Sequence, residues 1–319
     1  MPKVSVIVPV YGVEEYIERC ATSLFEQTLD DIEFVFVDDC TPDKSIEILR
    51  NVVERYRNRI AEKGYIIKIE KMPSNGGLAA VRRHGIQMVS GDFVINCDSD
   101  DWVDVTMYEK MYNYAIKNNS DLVFCDYYLS NGNRNSDKIF RKNITDCSRE
   151  ALLNRLLSSS ELNPVWSAMA RRELFDGMMF PIGDMSEDKT IIIQLAWKAK
   201  NVTYLDEPLY YYFLSDTSIL RNVSKESNIK KFKQITDNRY ILLNFFEKEN
   251  ISISQKRLDA FVFLGKTGLI EPFIEDSKTY HLWKETFPIS LLRILKNPYI
   301  KVYRKIKYVQ NLWKLRKLK

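Results

Sequence analysis

The sequence predicts an α/β fold in which a doubly wound, mainly parallel sheet carries a helical C-terminal extension. Apolar, β-rich runs alternate with segments of helical periodicity over roughly the first hundred residues, and a short polar segment follows each run at the same end. This alternation is typical of a parallel sheet that is covered by helices on both faces and binds ligands at the carboxyl ends of its strands. A chain of 319 residues with 45% hydrophobic content can bury the core of such a fold.

The predicted elements follow one another in a regular order. The first strand is interrupted by Pro9, and Tyr11-Gly12 turns the chain into a segment with apolar residues at helical spacing. The next strands end in acidic or Gly-rich segments that lead into further helices. The predicted elements are strand 4–10, helix 14–26, strand 32–37, helix 44–62, strand 66–70, helix 78–89, strand 92–96 and strand 122–128.

Several classes of protein are disfavoured by composition. No run reaches the ~18 apolar residues of a membrane-spanning helix, and the first residues begin a strand pattern rather than a secretory leader, so we expect a cytoplasmic protein. The five cysteines have no C-x-x-C spacing and there are only two histidines, which argues against a zinc cluster and favours reduced thiols. A dinucleotide-dependent oxidoreductase is not expected, because no G-x-G-x-x-G follows the first strand.

The acidic segment Asp98-Ser99-Asp100-Asp101 directly follows the predicted strand 92–96. Several carboxylates at the end of a buried strand are costly unless a cation neutralises them, and oxygen ligands favour Mg²⁺ or Mn²⁺. The alternative interpretation is a solvated acidic turn that caps the next helix. The motif alone leaves both interpretations open.

Two further polar segments follow neighbouring strands. Asp38-Asp39 ends the second strand, where a carboxylate can accept hydrogen bonds from a base or ribose or can cap a helix. Asn75-Gly76-Gly77 offers flexible backbone near a phosphate, and Arg82 and Arg83 follow one helical turn later as guanidinium donors. The alternative for this segment is a surface loop with solvated arginines.

Glu187-Asp188 stands before an apolar run of helical character. A general base has to be held at the head of a rigid element so that it points at the proton it removes. The alternative is an acidic helix N-terminus that complements the helix dipole. The choice depends on what surrounds these two residues.

The order and spacing of these segments resemble the family 2 glycosyltransferases of the GT-A fold. The Tyr210-Tyr211-Tyr212 run also resembles the segment after the acidic pair in bacterial polysaccharide members, and the resemblance covers about residues 3–220. Gly12 stands where the family usually has Asn, which leaves the preference for base and sugar open. The matching segments are Pro9 to Gly12, Val37 to Asp39, Asn75 to Arg83, Gly91 to Val94, Asp98 to Asp101 and Glu187-Asp188.

The resemblance implies a role for each of these residues. Asp188 would be the catalytic base, and Asp100 would bind the metal ion, Mg²⁺ or Mn²⁺. Glu187 is a secondary candidate, and Trp166 would stack on an acceptor sugar unless it belongs to the core, which is more common for a lone Trp in an apolar stretch. The residues implied for the nucleotide are Pro9, Tyr11, Asp39, Arg82 and Asp98.

The resemblance implies an enzyme that transfers a sugar from a nucleotide diphosphate, with UDP expected, to an acceptor hydroxyl with inversion. The setting would be the assembly of capsule, exopolysaccharide or O-antigen. A nucleotidyltransferase is a rival, but it would need a Gly-rich loop with a basic residue after the first strand, where this chain has one Gly and Glu14. A catalytically silent subunit that binds sugar nucleotides is the second rival.

The same resemblance divides the chain into two regions. Residues 1–220 would form the GT-A domain, with a nucleotide-binding half over about 1–128 and an acceptor half over about 129–220. Residues 221–319 would form a helical C-terminal region with breaks at Pro288 and Pro298.

The C-terminal tail is basic and amphipathic. Residues 287–319 hold ten Lys and Arg and no acid, so a chain of formal charge +4 carries −6 over residues 1–286. One interpretation is peripheral contact with an anionic membrane, which suits a saccharide or lipid-linked saccharide acceptor. The other is a helical pair that packs on the fold or in a homodimer. Nucleic acid is not expected as a partner, because the rest of the chain is acidic and no groove-reading motif occurs.

Overall fold

The computed structural model describes residues 1–159, 162–214, 224–267 and 276–316. The predicted boundary at residues 220–221, and the last three residues of the basic tail, lie outside these ranges. Within the described ranges, no helix is both long enough and apolar enough to span a membrane.

Nine strands of the described residues form one sheet in the order β3-β2-β1-β4-β8-β6-β9-β5, and β7 pairs with β6. The first four strands in this order are mutually parallel, β6 pairs in parallel with β9, and β8 lies antiparallel between β4 and β6. The predicted α/β fold with a mainly parallel sheet is confirmed. The strands are β1 (Val4–Val10), β2 (Ile32–Asp38), β3 (Ile66–Lys71), β4 (Phe93–Asn96), β5 (Trp102–Val103), β6 (Leu122–Ser130), β7 (Lys138–Phe140), β8 (Ala168–Arg171) and β9 (Val202–Phe213).

Helices cover both faces of the sheet and continue into the C-terminal region. The described helices are α1 (Ile17–Phe25), α2 (Ser45–Arg55), α3 (Arg57–Glu62), α4 (Leu78–Met88), α5 (Met107–Asn118), α6 (Arg149–Ser158), α7 (Glu187–Lys198), α8 (Lys225–Lys248), α9 (Gln255–Lys266), α10 (Ser277–Glu285), α11 (Leu291–Leu295) and α12 (Val302–Arg316). Pro288 and Pro298 fall between the last three helices, so the predicted breaks are confirmed.

The helix predicted over residues 44–62 is two helices, α2 and α3, which meet at Tyr56. Its ring lies 5.9 Å from the ring of Phe25 on α1, and its hydroxyl donates a 2.7 Å hydrogen bond to Glu26. These contacts to α1 hold Tyr56 at the junction, and periodicity does not reveal such contacts because they arise between elements.

The order of the strands brings the predicted polar segments together. β1 pairs in parallel with β2 on one side and with β4 on the other. The carboxyl ends of these three strands therefore lie side by side, and they are followed by Tyr11, by Asp39 and by Asp98. Parallel sheets bind ligands at this edge.

One of two large apolar cores extends from the sheet into the C-terminal helices. It contains Ile7 of β1 and Leu156 of α6, and it continues to Phe245 of α8 and Phe261 of α9. The other core lies against α1 and α5, where Leu24 and Met111 are fully buried. Because α8 and α9 share the core of the sheet, they fold with it, and the division of the chain near residue 220 stays a prediction.

Candidate active site

Arg82 lies at the centre of the candidate site. It is on α4, is only 2% exposed, and donates hydrogen bonds to Asp98 at 2.7 Å, to Asp188 at 2.6 Å and to Glu187. Burial by itself lowers the pKa of Arg82, but the three carboxylates outweigh it and hold the pKa well above its usual value. One cation therefore joins the acidic segment after β4 to the acidic pair that begins α7.

The acidic pair is held at the N-terminus of α7 by a left-handed residue, Ser186, whose φ is +64°. A non-glycine residue at positive φ costs energy and is often found where a functional side chain has to be aimed. The side chain of Glu187 is 4% exposed, whereas that of Asp188 is 28% exposed. Asp188 is therefore the more accessible of the two carboxylates.

Burial raises the pKa of both carboxyl groups above their usual values, and the charge of Arg82 opposes this effect. A carboxylate with a raised pKa is a better proton acceptor than one in free solution. Since Asp188 is the accessible member of the pair, it combines the chemistry and the position that a general base requires.

An open cleft of about 240 Å³ adjoins Asp188. It is lined by an amide, a hydroxyl and carboxylates, which can form hydrogen bonds with sugar hydroxyls. The cleft is lined by Asn163, Pro164, Asp184, Ser186, Glu187, Asp188 and Lys189.

The acidic segment after β4 is anchored by β9. The buried carboxylate of Asp101 accepts hydrogen bonds from the hydroxyl of Tyr210 at 2.6 Å and from the backbone N–H of Phe213 at 2.7 Å. The same hydroxyl accepts the backbone N–H of Asp98 at 3.0 Å. The carboxylate of Asp101 therefore anchors the acidic segment to β9.

The chemistry of Asp98 and Asp100 fits a divalent cation. Burial and then the charge of Asp98 raise the pKa of Asp100 to about 6, which shows that the charge on this carboxylate is poorly compensated. A hard cation would relieve that cost through oxygen ligands. No group of three or more His, Cys, Asp or Glu among the described residues is arranged to hold an ion alone.

Asp39 binds the Gly-rich loop that precedes α4. Its carboxylate is 3% exposed and accepts hydrogen bonds from Gly76 N at 2.7 Å, Gly77 N at 2.9 Å and Asn75 Nδ2 at 3.1 Å. Asp184 in turn accepts the N–H of Ala79 at 3.0 Å. The loop amides that we expected near a phosphate are thus donated to protein carboxylates, and this expectation is corrected.

Gly77 is required at this junction for two reasons. Its φ is +80°, which disfavours a side chain, and an added Cβ would lie 2.7 Å from an oxygen of Asp184. The loop and the segment before α7 can approach each other closely only because this position carries no side chain.

The remaining predicted residues are divided between the sheet edge and the core. Pro9 is buried near the end of β1, and Tyr11, just beyond it, exposes 52% of its surface at the rim. Trp166 is only 4% exposed, and its ring stacks on Tyr210 with centroids 4.1 Å apart. The expected stacking of Trp166 on a sugar is therefore corrected to a packing role.

A family model described as Glycosyl transferase family 2 matches residues 5–186, which is more than half of the 319 residues. The chain belongs to glycosyl transferase family 2. The family expected from the ordered motifs is therefore confirmed.

Relatives of this family 2 glycosyltransferase come from several bacteria. It is 33% identical over 228 residues to the uncharacterized glycosyltransferase EpsJ of Bacillus subtilis, covering 66% of this chain and 61% of EpsJ. It is 29% identical over 270 residues to the putative glycosyltransferase EpsH of the same organism, covering 82% of this chain and 75% of EpsH. It is 30% identical to the glycosyltransferase GlyA of Streptococcus pneumoniae, covering 69% of this chain and 32% of GlyA. The chain thus spans less than two thirds of EpsJ and GlyA.

Two solved structures show the same fold as this family 2 chain. TarS residues 1–349 of S. aureus in complex with UDP-GlcNAc has a TM-score of 0.59 at 19% identity, covering 97% of this chain and 89% of that one. The mannosyltransferase PcManGT of Pyrobaculum calidifontis in complex with GDP-Man and Mn²⁺ has a TM-score of 0.55 at 14% identity, covering 98% and 88%. At these identities the likeness supports the fold alone.

Sequence reasoning missed the residues that support the site of this glycosyltransferase. Tyr210 was noted only as part of an aromatic run, and Asp101 only as part of a carboxylate cluster. Arg19 was not noted, although it donates a 2.8 Å hydrogen bond to the carbonyl oxygen of Asp100 and lies over the ring of Trp102 at 3.8 Å. The adjacent carboxylates of Asp100 and Asp101 were the available signal that one of the two, Asp101, is used to anchor the segment.

Proposed function

We propose that this family 2 glycosyltransferase transfers a hexosyl group from a UDP-sugar to an acceptor hydroxyl with inversion at the anomeric carbon, assisted by Mg²⁺ or Mn²⁺. The observation that carries the proposal is the Arg82 cluster, which holds an accessible carboxylate on α7 next to the acidic segment at the end of β4. In this proposal Asp188 is the proton acceptor and the segment that contains Asp98 and Asp100 is the cation-binding part, with the buried Arg82 between them. TarS binds UDP-GlcNAc, which supports the choice of donor, and PcManGT binds GDP-Man with Mn²⁺, which supports the choice of ion.

Asp188 would act as the general base. The acceptor O–H gives its proton to the Asp188 carboxylate, and the acceptor oxygen forms a bond to the anomeric carbon. The bond between that carbon and the diphosphate oxygen breaks, and its electron pair leaves with the nucleoside diphosphate. A single displacement from the opposite face inverts the anomeric configuration. Arg82 holds Asp188 in place during this step, because its guanidinium is buried and paired with Asp98 as well.

The nucleotide would lie across the carboxyl ends of β1, β2 and β4. Tyr11 would offer an exposed ring for the base near Pro9, Asp39 would hold the Gly-rich loop beside the nucleotide, and Asp98 would approach the ribose. Asp100 would hold the divalent ion with Asp98 beside it. When bound, such an ion neutralises charge that develops on the leaving diphosphate. Arg82, which is paired with Asp98, would contribute its positive charge to the nucleotide pocket.

The acceptor would enter the cleft beside Asp188. Because that cleft is lined with polar groups, a hydroxyl-rich saccharide or lipid-linked saccharide suits it. One relative is a poly(ribitol-phosphate) beta-glucosyltransferase, which supports transfer of a sugar to a polymer. We propose that the polymer is capsule, exopolysaccharide or O-antigen. We place the reaction in the cytoplasm with the enzyme peripheral on the inner face of the membrane. A homodimer is the alternative partner of the C-terminal region.

A panel of nucleotide sugars tests the proposal. The full chain is incubated with each donor and Mn²⁺ or Mg²⁺, with and without saccharide acceptors, and release of nucleoside diphosphate is measured. Turnover with a UDP-sugar supports the proposal, and the anomeric configuration of the product, measured by NMR, tests inversion. Release of inorganic diphosphate instead would indicate a nucleotidyltransferase. Saturable binding of every donor without turnover would indicate a silent binding subunit.

A further inference from the structure

Helices α11 and α12 expose an unusual concentration of apolar side chains. Of eighteen large hydrophobic side chains exposed among the described residues, nine lie between residues 291 and 313, and each of these is 38% to 69% exposed. We call these nine side chains the apolar face. They are Leu291, Leu292, Leu295, Tyr299, Val302, Tyr303, Ile306, Val309 and Trp313.

The opposite side of the same segment is packed on the fold. Ile294, Ile300 and Tyr308 are buried in a small core with residues of α8, α9 and α10. The ring of Tyr308 lies 5.1 Å from that of Trp283 and 5.3 Å from that of Phe263. One side of the tail therefore packs on the fold, as the second interpretation expects, while the apolar face remains at the surface.

The segment is held in a fixed orientation by polar contacts as well. Arg293 of α11 pairs with the buried Asp259 of α9, with Nε 2.9 Å from the carboxylate. Lys305 of α12 donates a 2.9 Å hydrogen bond to the carbonyl oxygen of Leu295. These contacts hold the segment with the apolar face toward the surface.

Basic side chains flank the apolar face. At about 100° per residue, Val302, Ile306, Val309 and Trp313 fall within roughly 60° of one another around α12. On the same helical geometry, Lys305 and Lys307 lie on opposite flanks of this stripe. Lys296, Lys301 and Lys307 are exposed, and the sequence contains no acidic residue after Glu285.

We propose that the apolar face, with its flanking lysines, is a docking surface for an anionic lipid bilayer. Apolar and aromatic side chains enter the boundary between headgroups and acyl chains, while the lysines stay at the lipid phosphates.

A second copy of the chain fits this surface less well. A symmetric contact would bring the exposed lysines of two copies together, and the segment has no acid to offset them.

Binding to a bilayer would bring the enzyme to an acceptor that is itself anchored in the membrane. This consequence rests on the proposed function. The rest of the chain carries a formal charge of −6 and is repelled by anionic lipid. Opposite charges at the two parts of the protein therefore orient it, with α11 and α12 toward the bilayer.

Sedimentation with vesicles tests the surface. The full chain is mixed with vesicles of phosphatidylcholine alone or of phosphatidylcholine with phosphatidylglycerol, at low and high salt. We expect binding to the anionic vesicles at low salt, at least about tenfold weaker binding to neutral vesicles, and a loss of binding as salt rises. Equal binding to both vesicles, or no binding to either, overturns the proposal.

Matched variants locate the surface. Ile306→Glu places a charge on the apolar face, and Ile116→Glu places the same charge on α5 at a similar exposure of 52% against 53%. We expect Ile306→Glu to weaken binding at least about tenfold and Ile116→Glu to bind as the native chain does. Lys301→Glu, compared with Lys117→Glu, repeats the test through charge alone. Equal effects within each pair overturn the assignment.

Two further measurements keep the outcomes separate. Sedimentation velocity without lipid detects self-association, and a dimer that Ile306→Glu dissociates, in a chain that ignores vesicles, would assign the face to a second copy and overturn the proposal. Turnover of UDP-sugars is measured on the same samples without vesicles. Vesicle binding without turnover refutes the proposed function alone, whereas turnover without vesicle binding refutes the docking surface alone.

Discussion

Arg82 on α4 donates a 2.6 Å hydrogen bond to Asp188 at the start of α7, across 106 positions of sequence. The same guanidinium is paired with Asp98, so the carboxylate proposed as the base and the segment proposed to bind donor and metal share one buried cation. A shift of α7 would therefore disturb the acidic segment after β4, and a shift of that segment would disturb α7.

Replacement of Arg82 should destabilise the protein. Arg82→Gln leaves the buried carboxylate of Glu187 without its charged partner, and the loss of one member of a buried ion pair typically costs about 3–5 kcal/mol. The free energy of unfolding, measured by urea denaturation, should fall by this amount. Arg83→Gln, at the exposed neighbouring position, should change it by less than about 0.5 kcal/mol. Equal losses in the two variants would contradict the role of the cluster.

Asp188→Asn keeps the shape of the side chain but removes its ability to accept a proton. Transfer to the acceptor should fall by about 10² to 10⁴, while donor affinity stays near the native value. Steady-state kinetics and calorimetry with UDP measure the two quantities. Asp176→Asn, at an exposed position, serves as the control. Unchanged turnover in Asp188→Asn would move the role to Glu187 or Asp184.

The pH dependence of transfer should report the same group. Burial raises the pKa of Asp188, which faces Arg82 and Glu187, above the usual aspartate value of about 3.9. A base has to be deprotonated, so kcat/KM should be constant at high pH and should fall as pH decreases through the raised pKa. A profile that stays flat down to about pH 4 would show that no such group takes part.

Tyr210→Phe removes the hydroxyl that joins Asp101 to the backbone of Asp98. A buried carboxylate then loses one of its two donors and a backbone N–H loses its acceptor, which costs about 1–3 kcal/mol. We also expect weaker binding of UDP with Mn²⁺, because the acidic segment is no longer held. Tyr212→Phe, two residues further along β9, is the control. If Tyr210→Phe bound UDP and Mn²⁺ as tightly as the control, the anchor would have no role in the site.

The metal proposal rests on Asp100. Asp100→Ala should weaken the binding of UDP in the presence of Mn²⁺, and a chelator should remove transfer activity from the native chain until Mn²⁺ or Mg²⁺ is restored. Calorimetry with UDP, with and without Mn²⁺, measures the first effect. An affinity that is the same in both proteins and independent of Mn²⁺ would exclude Asp100 as a ligand.

The sequence by itself determined the fold class and the family. Alternating strand and helix periodicity is a local property, and so is the position of a polar segment such as Asp98 to Asp101 just after an apolar run. The sequence also predicted that Tyr11, Asp39 and Asp98 lie close together, because parallel neighbouring strands have their carboxyl ends at the same edge of the sheet. Proline breaks at Pro288 and Pro298 were predictable, since the pyrrolidine ring is incompatible with the interior of a helix.

Only the tertiary structure decided what each polar side chain contacts. Arg82 meets Glu187 across 105 positions and Tyr210 meets Asp98 across 112, so these contacts depend on the order of the strands and on how α7 packs. The burial of Trp166 and the division of the tail into a packed side and an exposed side have the same origin. Local periodicity shows that a residue belongs to a face of an element, but the partner of that face is set by packing between elements that are distant in sequence.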